Sequence, residues 1–167
     1  NKLNYHYDTK DFWLGYQLFF KTKLNKINRR HIIQLRHIEN SFNIRPINFL
    51  AQLDKNYRNI NANFLSITVF NQNIIRTKYL YGFGRNEDLP IGQSLSLTLG
   101  KYYRDINSIS YAGLKYEKYA LQSSGNYLHL NINIGSSYAE KKYQDFRFLS
   151  SLEIISKLKY LENGSPY

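Results

Sequence analysis

Hydrophobic and polar residues alternate along most of this chain. Between Tyr127 and Gly135, Leu128, Leu130, Ile132 and Ile134 take every second position, with His129, Asn131 and Asn133 between them. Successive side chains of a β-strand point to opposite faces, so such a segment has one apolar wall and one wet wall. The pattern recurs in Leu3–Tyr7, in Phe12–Phe20 (against Trp13, Gly15 and Gln17), in Leu65–Val69 and in Ile75–Phe83. It returns in Ile91–Leu99 (against Gly92, Ser94, Ser96 and Thr98), in Ala112–Tyr116 and in Phe146–Tyr160. His31–Glu39 fits helical spacing as well and is read as a strand; Pro46 opens a further one over Ile47–Leu53. Turns are expected at Asp8–Asp11, Asn71–Asn73, Arg104–Ser108 and Gln122–Asn126, with loops at Lys21–Arg30 and Asp54–Asn63. About nine or ten strands at hairpin spacing predict an all-β chain whose neighbours pair antiparallel.

Strand length separates two versions of that fold. Many segments run to nine residues or more, beyond the five or six typical of globular strands and close to the 9–11 a tilted strand needs to cross a bilayer. The wet faces are rich in Gly, Ser, Thr and Asn, as a water-filled lumen requires. The expectation is one domain over residues 1–167, an antiparallel up-and-down transmembrane β-barrel, whole or partial. A soluble antiparallel barrel or sandwich is the competing architecture.

Composition sharpens the picture. The chain has 167 residues with 16 Tyr, 10 Phe and one Trp, and aromatic rings with a polar edge suit a membrane–water interface. Trp13, Tyr16, Tyr79, Tyr81, Tyr116 and Tyr160 are the expected interfacial girdle. No apolar run approaches the roughly 20 residues of a membrane helix, which excludes a helical membrane protein and leaves a barrel open. The net charge of +11 fits a solvated basic surface, an electropositive lumen or a nucleic-acid face. Lys21, Lys23, Lys26, Arg29 and Arg30 follow Phe19 and Phe20, and are better placed at a membrane rim meeting anionic headgroups than on a nucleic-acid platform. Without cysteine there is no disulfide framework and no thiolate metal site. Asn1 is no initiator and Tyr167 follows directly on the Asn163–Pro166 turn signal, so a piece of a longer chain is expected.

Tyr79–Gly92 reads Y-L-Y-G-F-G-R-N-E-D-L-P-I-G. It resembles the signature F-G-R-T-E-D-[IL]-P-x-G of outer-membrane β-barrel proteins of the Bacteroidetes, which look like distant relatives of the BamA/TamA surface-antigen barrels. Gly82, Phe83, Gly84, Arg85, Glu87, Asp88, Pro90 and Gly92 match, Asn86 replaces the family's Thr, and the likeness covers roughly Phe64–Tyr160. It implies a barrel in the bacterial outer membrane without enzymatic activity. From the residues themselves, Gly82 and Gly84 permit a bend, Pro90 suits a strand start, and Arg85 with Glu87 or Asp88 suits a charge pair in the lumen.

Other chemistry finds no support. Gly82-x-Gly84 lacks the third glycine of a dinucleotide loop. His6, His31, His37 and His129 lack zinc-ligand spacing, and Glu87 and Asp88 point apart on a strand, so neither a metal nor a catalytic pair is expected. No nucleophile elbow occurs, and no cofactor is expected. The functional expectation is a non-enzymatic pore, or a scaffold for protein insertion or export, with outer-membrane lipids and other envelope or secretion proteins as partners. The alternative is a soluble basic β-domain that binds nucleic acid or another polyanion.

Overall fold

The computed structural model describes residues 5–18, 29–44, 57–78 and 86–156. Their regular structure is all strand: β1 (His6–Leu18), β2 (Arg30–Ile44), β3 (Ile60–Lys78), β4 (Asn86–Arg104), β5 (Asn107–Leu121), β6 (Tyr127–Ala139) and β7 (Lys142–Ile155). They form one antiparallel sheet in the order β1-β2-β3-β4-β5-β6-β7. This is up-and-down topology with each strand beside its sequence neighbours. The sheet is not closed, because β1 and β7 are its two edges. The expected strand over Ile47–Leu53, the basic run Lys21–Lys26 and the stretch beyond residue 156 lie outside the described residues. Among the described residues no helix is long and apolar enough to cross a membrane, which says nothing about crossing by strands.

Two expected turns are absent, for the same reason. Asp8–Asp11 continues β1, where Lys10 faces Glu39 at 3.2 Å and Asp11 faces the Arg36 guanidinium. Asn71–Asn73 continues β3, paired with Gln93, Gly92 and Ile91 of β4. Cross-strand partners override local turn preference at both places. Elsewhere the turns are tight. Glu140 and Lys141 both have positive φ (51° and 61°), as a type I′ hairpin turn requires, and Asp105 (56°) helps close the β4–β5 hairpin. Asp145 (φ 49°) sits where the β6–β7 register shifts between Gly135 and Ser137, a bulge on the edge strand.

The alternation predicted for each strand becomes two continuous faces. Following partners across the sheet, Tyr16 lines up with Ile33, Ile67, Leu97, Leu114, Ile134 and Phe148. On either side of that row lie Leu14, Leu35, Leu65 and Leu99, or Val69, Leu95, Tyr116 and Ile132. This apolar face is open, with Leu14 71% exposed and Leu97 44%. The opposite face lines a trough of about 1310 Å³ to which all seven strands contribute, among them Asp11, Arg36, Ser66, Thr98, Tyr111, Asn133 and Arg147. The sheet therefore curls with its polar side inward. Glycines aside, the buried residues are Ala62, Leu89, Ile109, Tyr127, Ala139 and Ser137. Ladder parity puts five of these on the trough side, and none belongs to the apolar rows just named. Small side chains at the tightest points of the curl and polar ones elsewhere do what a dry core does in a globular sheet.

The apolar band is not level. On β1 it spans Phe12–Leu18, yet the partners of Phe12 along its row are polar: His37, Asn63, Lys101 and Ser110. On β6 it spans Leu128–Ile134, and Leu128 lies four residues beyond Ile132, the residue in line with Leu18. The band thus steps by about four residues along the strands between β1 and β6. A level slab cuts tilted strands in this way, because each strand meets it at a different register position.

Beyond Phe70 and Gly92, β3 and β4 continue as a two-stranded ribbon past their neighbours. Its alternation inverts at Gly92. On the far side Leu89 is buried and Ile74 is 74% exposed. Gly92 has φ 129°, and a Cβ there would run into the carbonyl oxygen of Asn71. Gly92→Ala is expected to destabilise the fold by about 1–3 kcal/mol, seen as a lower denaturant midpoint of the folded protein.

Candidate functional site

The trough wall is built by cross-strand pairs on the polar face. Ser66 and Thr98 share a hydrogen bond of 2.8 Å, as do Thr68 and Ser96. Tyr102 and Ser137 hydroxyls meet at 3.2 Å. Gln34 and Asn133 add amides. Hydroxyls that pair across the ladder keep a wet wall ordered without filling the space in front of it.

Aromatic rings and glycines shape the floor. Gly113 and Gly135 are direct partners on β5 and β6. A Cβ on Gly113 would sit 3.0 Å from Cε1 of Tyr111, and one on Gly135 would sit 3.2 Å from its Cε2. The hydroxyl end of the Tyr111 ring thus occupies the space that the two neighbouring strands leave free at these glycines. Phe64 covers Gly100 in the same manner and meets Tyr111 edge to face, centroids 5.8 Å apart. Missing side chains on the inner face let the sheet bend, and the rings fill what they leave.

Charge on the wall is close to balanced. Around the main cavity Arg36, Arg104 and Arg147 stand against Asp11 and Asp145. Arg36 donates to Asp11 through Nε (3.0 Å to Oδ1) and Nη2 (2.6 Å to Oδ2), a bidentate fork. Further along the same face Lys115 pairs with Glu117 at 3.0 Å. His129 stacks on Tyr119 (4.2 Å, 10°) with Nδ1 3.6 Å from Glu153. The net +11 of the chain is not concentrated on this wall, so the described residues give the trough no electropositive character. They hold no group of three or more His, Cys, Asp or Glu side chains suited to a metal ion.

The ribbon of β3 and β4 is tied to β6 by a hydrogen bond. Tyr127, on the trough side of β6, donates its hydroxyl to the carbonyl of Pro90 at 2.9 Å, and Tyr127 and Leu89 are both buried. That bond spans two strands and draws the ribbon inward. Pro90 lies past the last β4–β5 pair, where its missing N–H leaves no ladder bond unmade.

The sequence-selected residues divide accordingly. Glu87, Asp88, Pro90 and Gly92 belong to the ribbon; Gly82, Gly84 and Arg85 lie outside the described residues. Asp88 faces Arg76 at 3.1 Å on an exposed surface. Of the expected girdle, Tyr16 and Tyr116 are on the apolar face, Trp13 lines the trough, and Tyr79, Tyr81 and Tyr160 lie outside the described residues. Sequence reading missed Tyr111, Phe64 and Tyr127, whose roles depend on cross-strand register. No family model, no curated protein and no solved structure matches this chain.

Removing the Tyr127 hydroxyl isolates the ribbon's anchor. Tyr127→Phe is expected to cost about 1 kcal/mol and to speed limited proteolysis within residues 71–93, leaving the other strands protected.

Proposed function

We propose that this chain is a non-enzymatic outer-membrane β-barrel domain, or a large part of one. It serves as a pore, or as a scaffold for protein insertion or export, and lipid and other envelope proteins are its surroundings. The observation that carries this reading is the exposed, stepped apolar band on the convex face. A contiguous greasy surface of this size is unusual on a monomer in water. Each leucine or isoleucine moved from water into hydrocarbon gains about 1.5–3 kcal/mol, and the step matches strands tilted through a slab. The polar residues on the opposite side suit a wet interior. In this reading Tyr16 and Tyr116 sit within the lipid-facing band, and Tyr103, Tyr138 and Tyr143 border it where it turns polar.

The polyanion-binding alternative needs a basic stripe. Among the described residues the concave face is nearly charge-balanced and the convex face is apolar, so neither favours it.

Two substitutions separate lipid from water on the convex face. In protein refolded into lipid vesicles, Leu97→Arg at the middle of the band is expected to lower unfolding free energy by about 2–4 kcal/mol. Gln34→Arg on the trough wall is expected to cost less than about 1 kcal/mol. Protein that stays monodisperse without detergent, shows no band shift on boiling and tolerates Leu97→Arg would sink the proposal.

A further inference from the structure

The charges of the trough wall cancel as a sum but not place by place. Arg36 is forked onto Asp11 and Lys115 is paired with Glu117. Arg104, half-buried at the C-terminal end of β4, has no carboxylate within ion-pair distance among the described residues. Its guanidinium lies instead over the Tyr102 ring, 5.7 Å from the centroid. Tyr102 is held in turn by the hydroxyl of Ser137, which is buried. The cation is therefore fixed in place without being neutralised. Beside it, between the β4–β5 and β6–β7 turns, is a separate cavity of about 200 Å³. Arg104 and Arg58 both line it, with Asn107, Ser108 and Gln144. Arg58 stands 3.8 Å from Asp105, too far for a hydrogen bond, and that carboxylate already accepts from the Asn59 backbone amide at 3.2 Å. Among the described residues Glu140, exposed on its turn, is the one carboxylate of the lining.

We propose that this cavity binds a tetrahedral oxyanion of the phosphate class, with Arg104 and Arg58 as the charged donors and Asn107, Ser108 and Gln144 as the neutral ones. A guanidinium presents its N–H groups in a planar fork that meets two oxygens of one phosphate. Such charge-assisted bonds are about twice as strong as neutral ones. The amides and the hydroxyl can donate to the oxygens that the forks leave. These donors come from the approach to β3 and from β4, β5 and β7, so they converge from several directions. Four oxygens on a tetrahedron can meet them together, where a planar carboxylate offers two. Buried Ile109 and Ala139 complete the lining, and apolar walls limit the water that would screen the charges. The cavity adjoins the main trough through Arg104, which lines both. The inference rests on this geometry and holds whether the convex face meets lipid or protein.

Folded protein in non-ionic detergent micelles is titrated by calorimetry with inorganic phosphate, glycerol 3-phosphate and sodium chloride. Saturable binding of inorganic phosphate is expected, with a dissociation constant of about 0.1–10 mM, and chloride is expected to bind more weakly. Comparable binding of glycerol 3-phosphate assigns the site to a phosphoryl group carried by a larger solute; binding of inorganic phosphate alone assigns it to the free anion. Either outcome supports the oxyanion site. Arg104→Gln and Arg58→Gln are each expected to weaken phosphate binding about fivefold or more. Arg104→Lys, which keeps the charge but loses the fork, is expected to weaken it less. Glu140→Gln, which removes the opposing carboxylate, is expected to tighten it about two- to fivefold. Arg76→Gln, on the exposed ribbon, is expected to leave it unchanged. The denaturant midpoint of each variant verifies its folding. No saturable phosphate binding by the folded protein would overturn the inference. So would undiminished affinity in folded Arg104→Gln and Arg58→Gln, or chloride binding as tight as phosphate. None of these results bears on the lipid-facing band, which the Leu97→Arg comparison tests by itself.

Discussion

A sheet one layer thick has no second layer in which to hide its apolar side chains. Every strand here is two-faced, and antiparallel pairing aligns the faces across all seven strands. Curling decides which face is enclosed, and here the polar one is. The usual arrangement of a globular sheet, with leucines inward and serines outward, is reversed. Once that is fixed, the wet wall, the glycine-lined floor and the uncovered band follow from it.

Enclosing a polar face brings its own packing problem. Bulky side chains on the inside of a tight curve collide, so the curve is made where Gly100, Gly113 and Gly135 give up their side chains. Phe64 and Tyr111 occupy the released volume from neighbouring positions. The same economy operates at the ribbon, where Gly92 lets two strands change the side they present and Tyr127 ties the result down. Aromatic rings here act on the inside of the curve as spacers, and on the outside they add to the greasy surface.

The faces of the strands were legible in the sequence because a period of two is a local property. His129, Asn131 and Asn133 share the wet wall with Ser94, Ser96 and Thr98, as their alternation implies. Strand ends were less legible. Asp8–Asp11 and Asn71–Asn73 have turn composition, but Arg36, Glu39 and the β4 ladder hold them extended. His31–Glu39 could not be separated from a helix by spacing alone, and pairing on both edges decides it. The floor of the trough was out of reach, since nothing local reveals that Gly113 faces Gly135 at the hydroxyl end of Tyr111. The surplus of basic residues also pointed to a charged lumen, and only register shows which cations are cancelled by the strand next door.

The connectivity carries one more consequence. In an up-and-down sheet the odd-numbered strands all run the same way, so β1 and β7 are parallel to each other. Zipping these two margins directly would create a parallel seam in an otherwise antiparallel wall. An all-antiparallel ring needs an odd number of additional staves between them, whichever polypeptide provides them, and so an even total.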